Sequence, residues 1–461
     1  MSALNSEMID VAGGVTKVMA GASNTFAVLG DSVTQQNTTY EAPSASAATS
    51  IAFRNDGYMS WAVALSGQQI QFDPLNNYGV GGDILSGIAT RVPLVLASGV
   101  GNCVVLAGHN DVTTAGTSYA DMVSQLQGIC ETLIAGNVRV FLATLVPISG
   151  LDSTKRSKLA SFNAWIRRYA ATTRGVVLID WWPYINDFTT TNFQQRPDFT
   201  RLTDTVHPGV KSAYLMGVIT EAAIRPFIGG SGQTFVLGSQ NDTFSATQGF
   251  QAALNANSAM KGTGGSKSAT AGGATNSTIT GDVADSFTVQ KYGGAAFCDI
   301  VCSKETPRTD LNGLSNGSRQ VIAFTTTQSG GGSTQIQMNM PDVTTASGAY
   351  AAGDVLFAEC NIELINPVNM YGVVLLLTET HTNLQVGYAL AYPGNSNNTA
   401  NALMENTPRT YKLSYRTPLI TAQPGSTKMV AQIQILLHPS IAPEGASGTI
   451  KVGDFAMRKA A

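Results

Sequence analysis

Four short segments carry residue types that together can perform acyl transfer: Gly30-Asp31-Ser32, Asn77-Tyr-Gly79-Val-Gly-Gly82-Asp83, Gly108-His109-Asn110-Asp111 and Asp204-Thr-Val-His207-Pro208. A serine hydroxyl is a poor nucleophile until a base takes its proton, and an imidazole needs a carboxylate on its other nitrogen to hold tautomer and orientation. Asp204 stands three residues before His207, close enough to reach the Nδ1 side across one turn, and Pro208 biases His207 away from helical geometry. An acyl-transfer intermediate gathers negative charge on the carbonyl oxygen, where preorganised donors are worth about 100- to 1,000-fold each. The Ser32 N–H, the Gly82 N–H and the Asn110 carboxamide are candidate donors, and glycine lets backbone approach a substrate without a Cβ in the way. Taken singly, each segment also fits a plainer role: Ser32 as a helix N-cap, His207 as a structural histidine, the Gly- and Asn-containing segments as turns. Of the 4 histidines, His109, His381 and His438 lack the Asp-x-x-His context of His207.

These segments sit at the ends of elements that can bring them together. From about residue 25 to 228, short apolar runs at 25–29, 103–107, 138–145 and 175–179 alternate with helical periods, the signature of repeated β-α units around a parallel sheet. Tyr119, Met122, Leu126, Ile129 and Leu133 recur at helical spacing behind a Ser118/Asp121 capping pair, and Gly136 provides the stop. Leu159, Phe162, Ile166 and Tyr169 mark another helix, and residues 212–224 a last one before Pro226. Ser32 directly follows the strand at 26–29, and open α/β sheets bind ligands at the carboxyl ends of their strands. After residues 228–232 the helical period disappears, and period-2 segments take over at 335–340, 356–364, 411–415, 429–437 and 449–457. Such strands, separated by Gly, Asn and Pro turns, predict an antiparallel β-sandwich of jelly-roll type. Residues 261–281, rich in Gly, Ser, Thr and Ala, read as a long loop or interdomain connection. The predicted organisation is an N-terminal extension over 1–24, an α/β domain over 25–228, a linker with a Gly/Ser/Thr-rich loop over 229–282, and a β-sandwich over 283–461.

Serine after the first strand, glycine after the second, asparagine after the third and Asp-x-x-His before the last helix resemble the four blocks of the SGNH, or GDSL-type, hydrolases. The likeness covers about residues 25–228. It implies a three-layer α/β/α, flavodoxin-like fold with a mostly parallel sheet, and an ester hydrolase that needs no metal and no organic cofactor. By the same resemblance Ser32 is the nucleophile, His207 the catalytic histidine, Asp204 the triad carboxylate, and Ser32, Gly82 and Asn110 the oxyanion hole. Gly81 precedes Gly82, which leaves the oxyanion glycine open by one position, and Val33 stands where leucine often follows the family's serine. Asp31 is expected to organise the nucleophile loop through hydrogen bonds rather than to react. Trp181 and Trp182, just past a strand ending at Asp180, are candidate substrate-binding walls, with ordinary packing as the other reading.

Composition narrows the partners. The 461 residues favour two or three domains, and a charged fraction of 12%, against the usual ~25%, with 47 glycines describes a β-rich extracellular or virion-type surface. With 27 basic against 30 acidic residues there is no electrostatic footprint for a phosphate backbone or an anionic membrane, so neither nucleic acid nor membrane is expected as a partner. Residues 1–10 show no secretory signal, and the longest apolar runs, such as 372–377, fall far short of the roughly 18 residues a spanning helix requires. The 5 cysteines are odd in number and widely scattered, which reads as buried core thiols. The family resemblance admits lipases, lysophospholipases, thioesterases and carbohydrate O-acetylesterases. Low charge, an attached sandwich and no visible signal look like a phage tail-fibre or tailspike protein that removes O-acetyl groups from a bacterial or plant polysaccharide. That reading carries an extracellular or virion-associated location and a homo-oligomer, trimeric in a tail fibre. A lipid or thioester hydrolase and a non-catalytic receptor-binding protein are the alternatives. The sandwich fits a carbohydrate-binding or an oligomerisation role; all 4 tryptophans (Trp61, Trp165, Trp181, Trp182) lie in the first half, so a sugar platform there falls to Tyr292, Tyr371, Tyr388, Tyr392 or Tyr415.

Overall fold

Thr25–Gly30 (β1) buries five residues in succession, the pattern of a strand covered on both faces. Gln71–Gly79 (β2), Asn102–Leu106 (β3), Arg139–Ala143 (β4) and Val176–Ile179 (β5) complete a five-stranded sheet in the order β2-β1-β3-β4-β5. All four pairings are parallel. The structure, a computed structural model, describes residues 23–41, 50–113, 116–196, 199–201, 204–229, 253–268, 278–292, 298–306, 317–326, 334–368, 370–381, 385–391, 409–437 and 445–460. The strand order turns back on itself between β1 and β3, which makes the carboxyl end of β1 the topological switch point of an open α/β sheet.

Ser32–Gln35 (α1), Tyr58–Leu65 (α2), Leu85–Ala89 (α3), Val92–Ala97 (α4), His109–Thr113 (α5), Tyr119–Ala135 (α6), Ser153–Thr172 (α7), Trp182–Ile185 (α8) and Val210–Ile224 (α9) fill the connections. α2 packs on α9, while α6 packs on α3, α4 and α7, which with the sheet makes the three-layer α/β fold that the sequence predicts. The caps are local and legible. Ser118 Oγ accepts from Asp121 N at 3.1 Å to start α6, and Asp152 Oδ1 accepts from Lys155 N at 2.9 Å to start α7. Among the described residues no helix is long and apolar enough to cross a membrane.

The chain divides into two units, and the division corrects the sequence reading. An uninterrupted domain over 25–228 is expected, but residues 38–55 belong with the second unit. Their strands Thr38–Glu41 and Ser50–Phe53 pair antiparallel, and Ser50–Phe53 adds in parallel to Gln385–Ala391. Two four-residue strands without a periodic context leave no trace of a partner more than 300 residues away. The Gly/Ser/Thr-rich stretch is a second correction. Gly264–Ser268 and Ile279–Gly281 are strands, paired in parallel with Val283–Tyr292 and Cys298–Glu305, rather than parts of one loop. Gly265 has a structural reason there, since a Cβ would lie 2.2 Å from the Ala284 carbonyl oxygen.

Among its described residues the second unit has a nine-stranded and a seven-stranded sheet, mostly antiparallel. Ser426–Leu437 shows the alternating burial of a strand with one covered face, and Phe287 of one sheet meets Phe455 of the other at 5.8 Å between ring centroids. Tyr415 is buried and so offers no sugar platform; Tyr392 and the side chains of Tyr292, Tyr371 and Tyr388 lie outside the described residues. The same holds for His438 and the His381 side chain. All five cysteines are buried and free, and burial pushes the Cys130 and Cys298 thiols up to about 12.

Candidate active site

The switch point is built first by Asp31. It caps α1, its Oδ1 accepting from Val33 N at 3.1 Å, and its other oxygen lies 3.2 Å from His109 Nδ1. The carboxylate is fully buried, so it organises the loop and has no access to substrate. Ser32, the first residue of α1, is thereby held at the carboxyl edge of β1. Beneath the helix, Thr34 Oγ1 and Tyr58 Oη are 3.2 Å apart, and burial pushes the Tyr58 phenol well above its ordinary range.

His207 arrives from the far end of the unit on the short strand Asp204–Pro208, which pairs with Thr200–Arg201. That strand is tied from both sides. Gln195 Nε2 donates to Val206 O at 3.0 Å, and Gly209 N donates to Phe199 O at 2.7 Å. The result is a contact between residues 175 positions apart: His207 Nε2 lies 2.8 Å from Ser32 Oγ. This is hydrogen-bonding distance for the proton that a general base removes. The Asp204 side chain lies outside the described residues.

The glycine segment closes over the same place. Val80 N donates to Gly30 O at 3.1 Å, which draws the end of β2 against the nucleophile loop. Gly82 has φ +78°, a left-handed conformation that a side chain would strain, although nothing lies within 4 Å of the position a Cβ would take. At Gly81 a Cβ would stand 3.8 Å from Ser32 Cβ, so this turn runs beside the serine. Asn110, at the start of α5, donates from Nδ2 to Asp83 O at 2.8 Å and joins the third segment to the second. Ser32, His207, the Gly81–Gly82 turn and Asn110 therefore belong to one connected set of loops at the switch point.

One expectation changes on the structure. Trp181 is not a substrate wall. It is fully buried, and its indole N–H lies 3.2 Å from both Met216 O and Thr220 Oγ1, which makes it a core residue bridging to α9. Trp182, its neighbour at the start of α8, is partly exposed and meets the Phe193 ring edge-on at 5.2 Å. The sequence also passes over His109. Its ring nitrogens sit 3.2 Å from Asp31 Oδ2 and 3.3 Å from Val146 O, so both are engaged by oxygens and neither is turned to Ser32. The only hint of this pairing was the Asp31 expectation itself. Among the described residues no group of three or more His, Cys, Asp or Glu is placed to hold a metal ion.

A serine–imidazole pair at the switch point of a parallel α/β sheet, with glycine and asparagine loops beside it, is an arrangement in which a serine hydroxyl has a base within reach of its proton. Residues 28–212 match the model of the GDSL-like Lipase/Acylhydrolase family, which supports a GDSL-like acylhydrolase domain in the first unit, with carboxylic ester hydrolysis as its reaction class. No curated protein matches the chain. Solved structures similar to it include a putative acylhydrolase from Bacteroides fragilis, at 19% identity, covering 44% of this chain and 87% of that one with a TM-score of 0.33. Others are the acetyl xylan esterase AlAXEase, at 20% identity, 43% and 99% coverage and TM-score 0.34, and a carbohydrate esterase family 3 protein from Talaromyces cellulolyticus, at 15%, 44%, 96% and 0.33.

Proposed function

We propose that this protein is a serine esterase that removes O-acetyl groups from a polysaccharide through a Ser32–His207–Asp204 triad. The observation that carries the reading is the 2.8 Å approach of His207 Nε2 to Ser32 Oγ. His207 takes the Ser32 proton as Oγ bonds to the acyl carbon, and the charge that moves to the carbonyl oxygen meets the Ser32 and Gly82 N–H groups and the Asn110 carboxamide. The C–O bond to the sugar then breaks as His207 returns the proton to the leaving alcohol. Water, deprotonated by the same imidazole, attacks the acetyl-serine, and the acid leaves as Ser32 regains its proton. Asp204 holds the Nδ1 side of His207 and supports the imidazolium formed in each half-reaction.

The polysaccharide assignment is supported by the low charge of the chain and by the β unit it carries beside the hydrolase domain. An extracellular or virion setting, with a trimer if the chain serves in a tail fibre, belongs to the same reading. One observation favours a second: Val80 and Val206, next to Gly81 and His207, are 42% and 40% exposed, and such apolar groups suit a longer acyl chain in a lipid or thioester. Acetate release from a panel of O-acetylated capsular and plant polysaccharides, with Ser32→Ala beside the parent, tests the proposal. Release abolished by the substitution is the expected result. A Ser32-dependent preference for acyl chains of eight or more carbons transfers the assignment to the second reading. Absence of any Ser32-dependent ester turnover removes both and leaves a receptor-binding role.

A further inference from the structure

Arg91 heads α4, and its side chain, 15% exposed, points back into the loops around Ser32. Its Nε donates to Tyr78 O at 3.0 Å, Nη2 to Gly30 O at 3.0 Å and Nη1 to Gly87 O at 3.2 Å, while Nη1 also pairs with the Asp83 carboxylate. Three backbone carbonyls and a carboxylate thus converge on one guanidinium. Each acceptor matters by its place in the chain. Gly30 is two residues before Ser32; Tyr78 and Asp83 bracket the Gly81–Gly82 turn. Asp83 passes the connection onward, because its carbonyl accepts from Asn110 Nδ2 at 2.8 Å. Gly87 is part of the arrangement too, since a Cβ there would stand 2.1 Å from Asp83 Oδ1 and displace the carboxylate.

We infer that Arg91 is a positioning residue for ester hydrolysis: its guanidinium fixes the distance between the nucleophile loop, which ends in Ser32, and the Gly82 and Asn110 donors of the oxyanion hole. The inference rests on the serine-esterase reading above. The physical argument is the rigidity of the fork. A planar guanidinium presents five N–H donors in a fixed geometry, so it can tie separate loops at set distances, whereas an ammonium is a compact charge that cannot span them. Oxyanion donors work only when placed for the transition state, and a displacement of about 1 Å can cost roughly 100-fold in rate. Binding of the ground-state ester needs no such placement. Loss of Arg91 is therefore expected in kcat and not in KM.

The test uses the full chain, p-nitrophenyl acetate as substrate, and titration of reactive serine with diethyl p-nitrophenyl phosphate, which counts the folded sites able to react. Parent, Ser32→Ala, Arg91→Ala and Arg91→Lys are compared per titrated site. For Arg91→Ala we expect full titration, a kcat per site lower by roughly 10- to 100-fold, and KM within about twofold. Added methylguanidinium should restore part of the rate. Arg91→Lys should stay low, because charge alone does not reproduce the fork; it is also the deciding variant if Arg91→Ala does not fold. A kcat per site equal to the parent's in the folded variant overturns the inference. So does a loss of activity that only tracks the number of titratable sites, since that describes a structural role. Full recovery in Arg91→Lys overturns it as well, showing that neutralising Asp83 is all that matters. If the parent shows no Ser32-dependent turnover, the esterase reading itself fails, an outcome separate from a normal Arg91 variant in an active protein.

Discussion

Asn110→Ala separates the architecture of the site from its chemistry. The Asn110 carboxamide spends one of its two N–H hydrogens on Asp83 O at 2.8 Å, and the oxyanion role proposed above calls on the second. Truncation removes both at once, but the two losses differ greatly in size. A part-buried hydrogen bond between neutral groups is worth about 1 kcal/mol of net stability, and for a unit of this size that lowers Tm by roughly 2–4 °C. A donor aimed at developing charge is worth roughly 100- to 1,000-fold in kcat, or about 2.7–4 kcal/mol of barrier. Initial rates on p-nitrophenyl acetate, taken well below the unfolding transition, measure the second, and calorimetry of the same samples measures the first. The expected variant has KM within about twofold of the parent, kcat down by two to three orders of magnitude and a small loss of Tm. A kcat within about threefold of the parent, with the small Tm loss present, would refute the oxyanion assignment. In that case the tether to Asp83 would be gone and the chemistry would not have registered it.

Gly30→Ala should cost at least about 1–3 kcal/mol in denaturant unfolding, because the added Cβ would stand 2.2 Å from Leu106 O and 2.3 Å from Thr34 Oγ1. Gly82→Ala, at φ +78° with open space around it, should cost only about 1–2 kcal/mol, so a larger loss in Gly82→Ala than in Gly30→Ala would contradict the geometry. Trp181→Phe removes an indole donor that serves Met216 O and Thr220 Oγ1, and we expect about 1 kcal/mol lower stability with the KM for an acetylated polymer unchanged. A raised KM would restore Trp181 as a substrate contact. Burial raises the Cys130 thiol to about 12 in the folded state from an ordinary 9.0, so above pH 9 the unfolded chain releases a proton that the folded chain keeps. Stability therefore falls with rising pH between about 9 and 12, by about 1.4 kcal/mol per pH unit from this thiol. Urea midpoints at successive alkaline pH values should decline less steeply in Cys130→Val, and identical slopes would count against a buried neutral thiol.

What is legible in the sequence divides along a physical line between local signals and distant partners. The strand of β1 and the caps of α6 are fixed by residues within a few positions, and the sequence locates them to within one or two residues. Ser32 and His207 are 175 positions apart, and no local signal sets their 2.8 Å contact. The rule that open α/β sheets bind ligands at the carboxyl ends of their strands points to Ser32 alone; His207 stands on a separate two-stranded pair, and in the sequence it is the resemblance to the four SGNH blocks that joins the two. The paired strands Thr38–Glu41 and Ser50–Phe53 have no such rule behind them: their partner is a sheet edge formed hundreds of residues later. Trp181 and Trp182 show the same limit at close range. They are adjacent and identical, yet the chain turns from β5 into α8 between them, so one indole enters the core and the other stays partly exposed. Two histidines make the point functionally. Both lie at the same end of the sheet, but His109 has its two nitrogens engaged by Asp31 and Val146 O, while His207 brings Nε2 to Ser32. Residue type names the candidates for a general base; which one serves is decided by whose nitrogen is left to accept the serine proton.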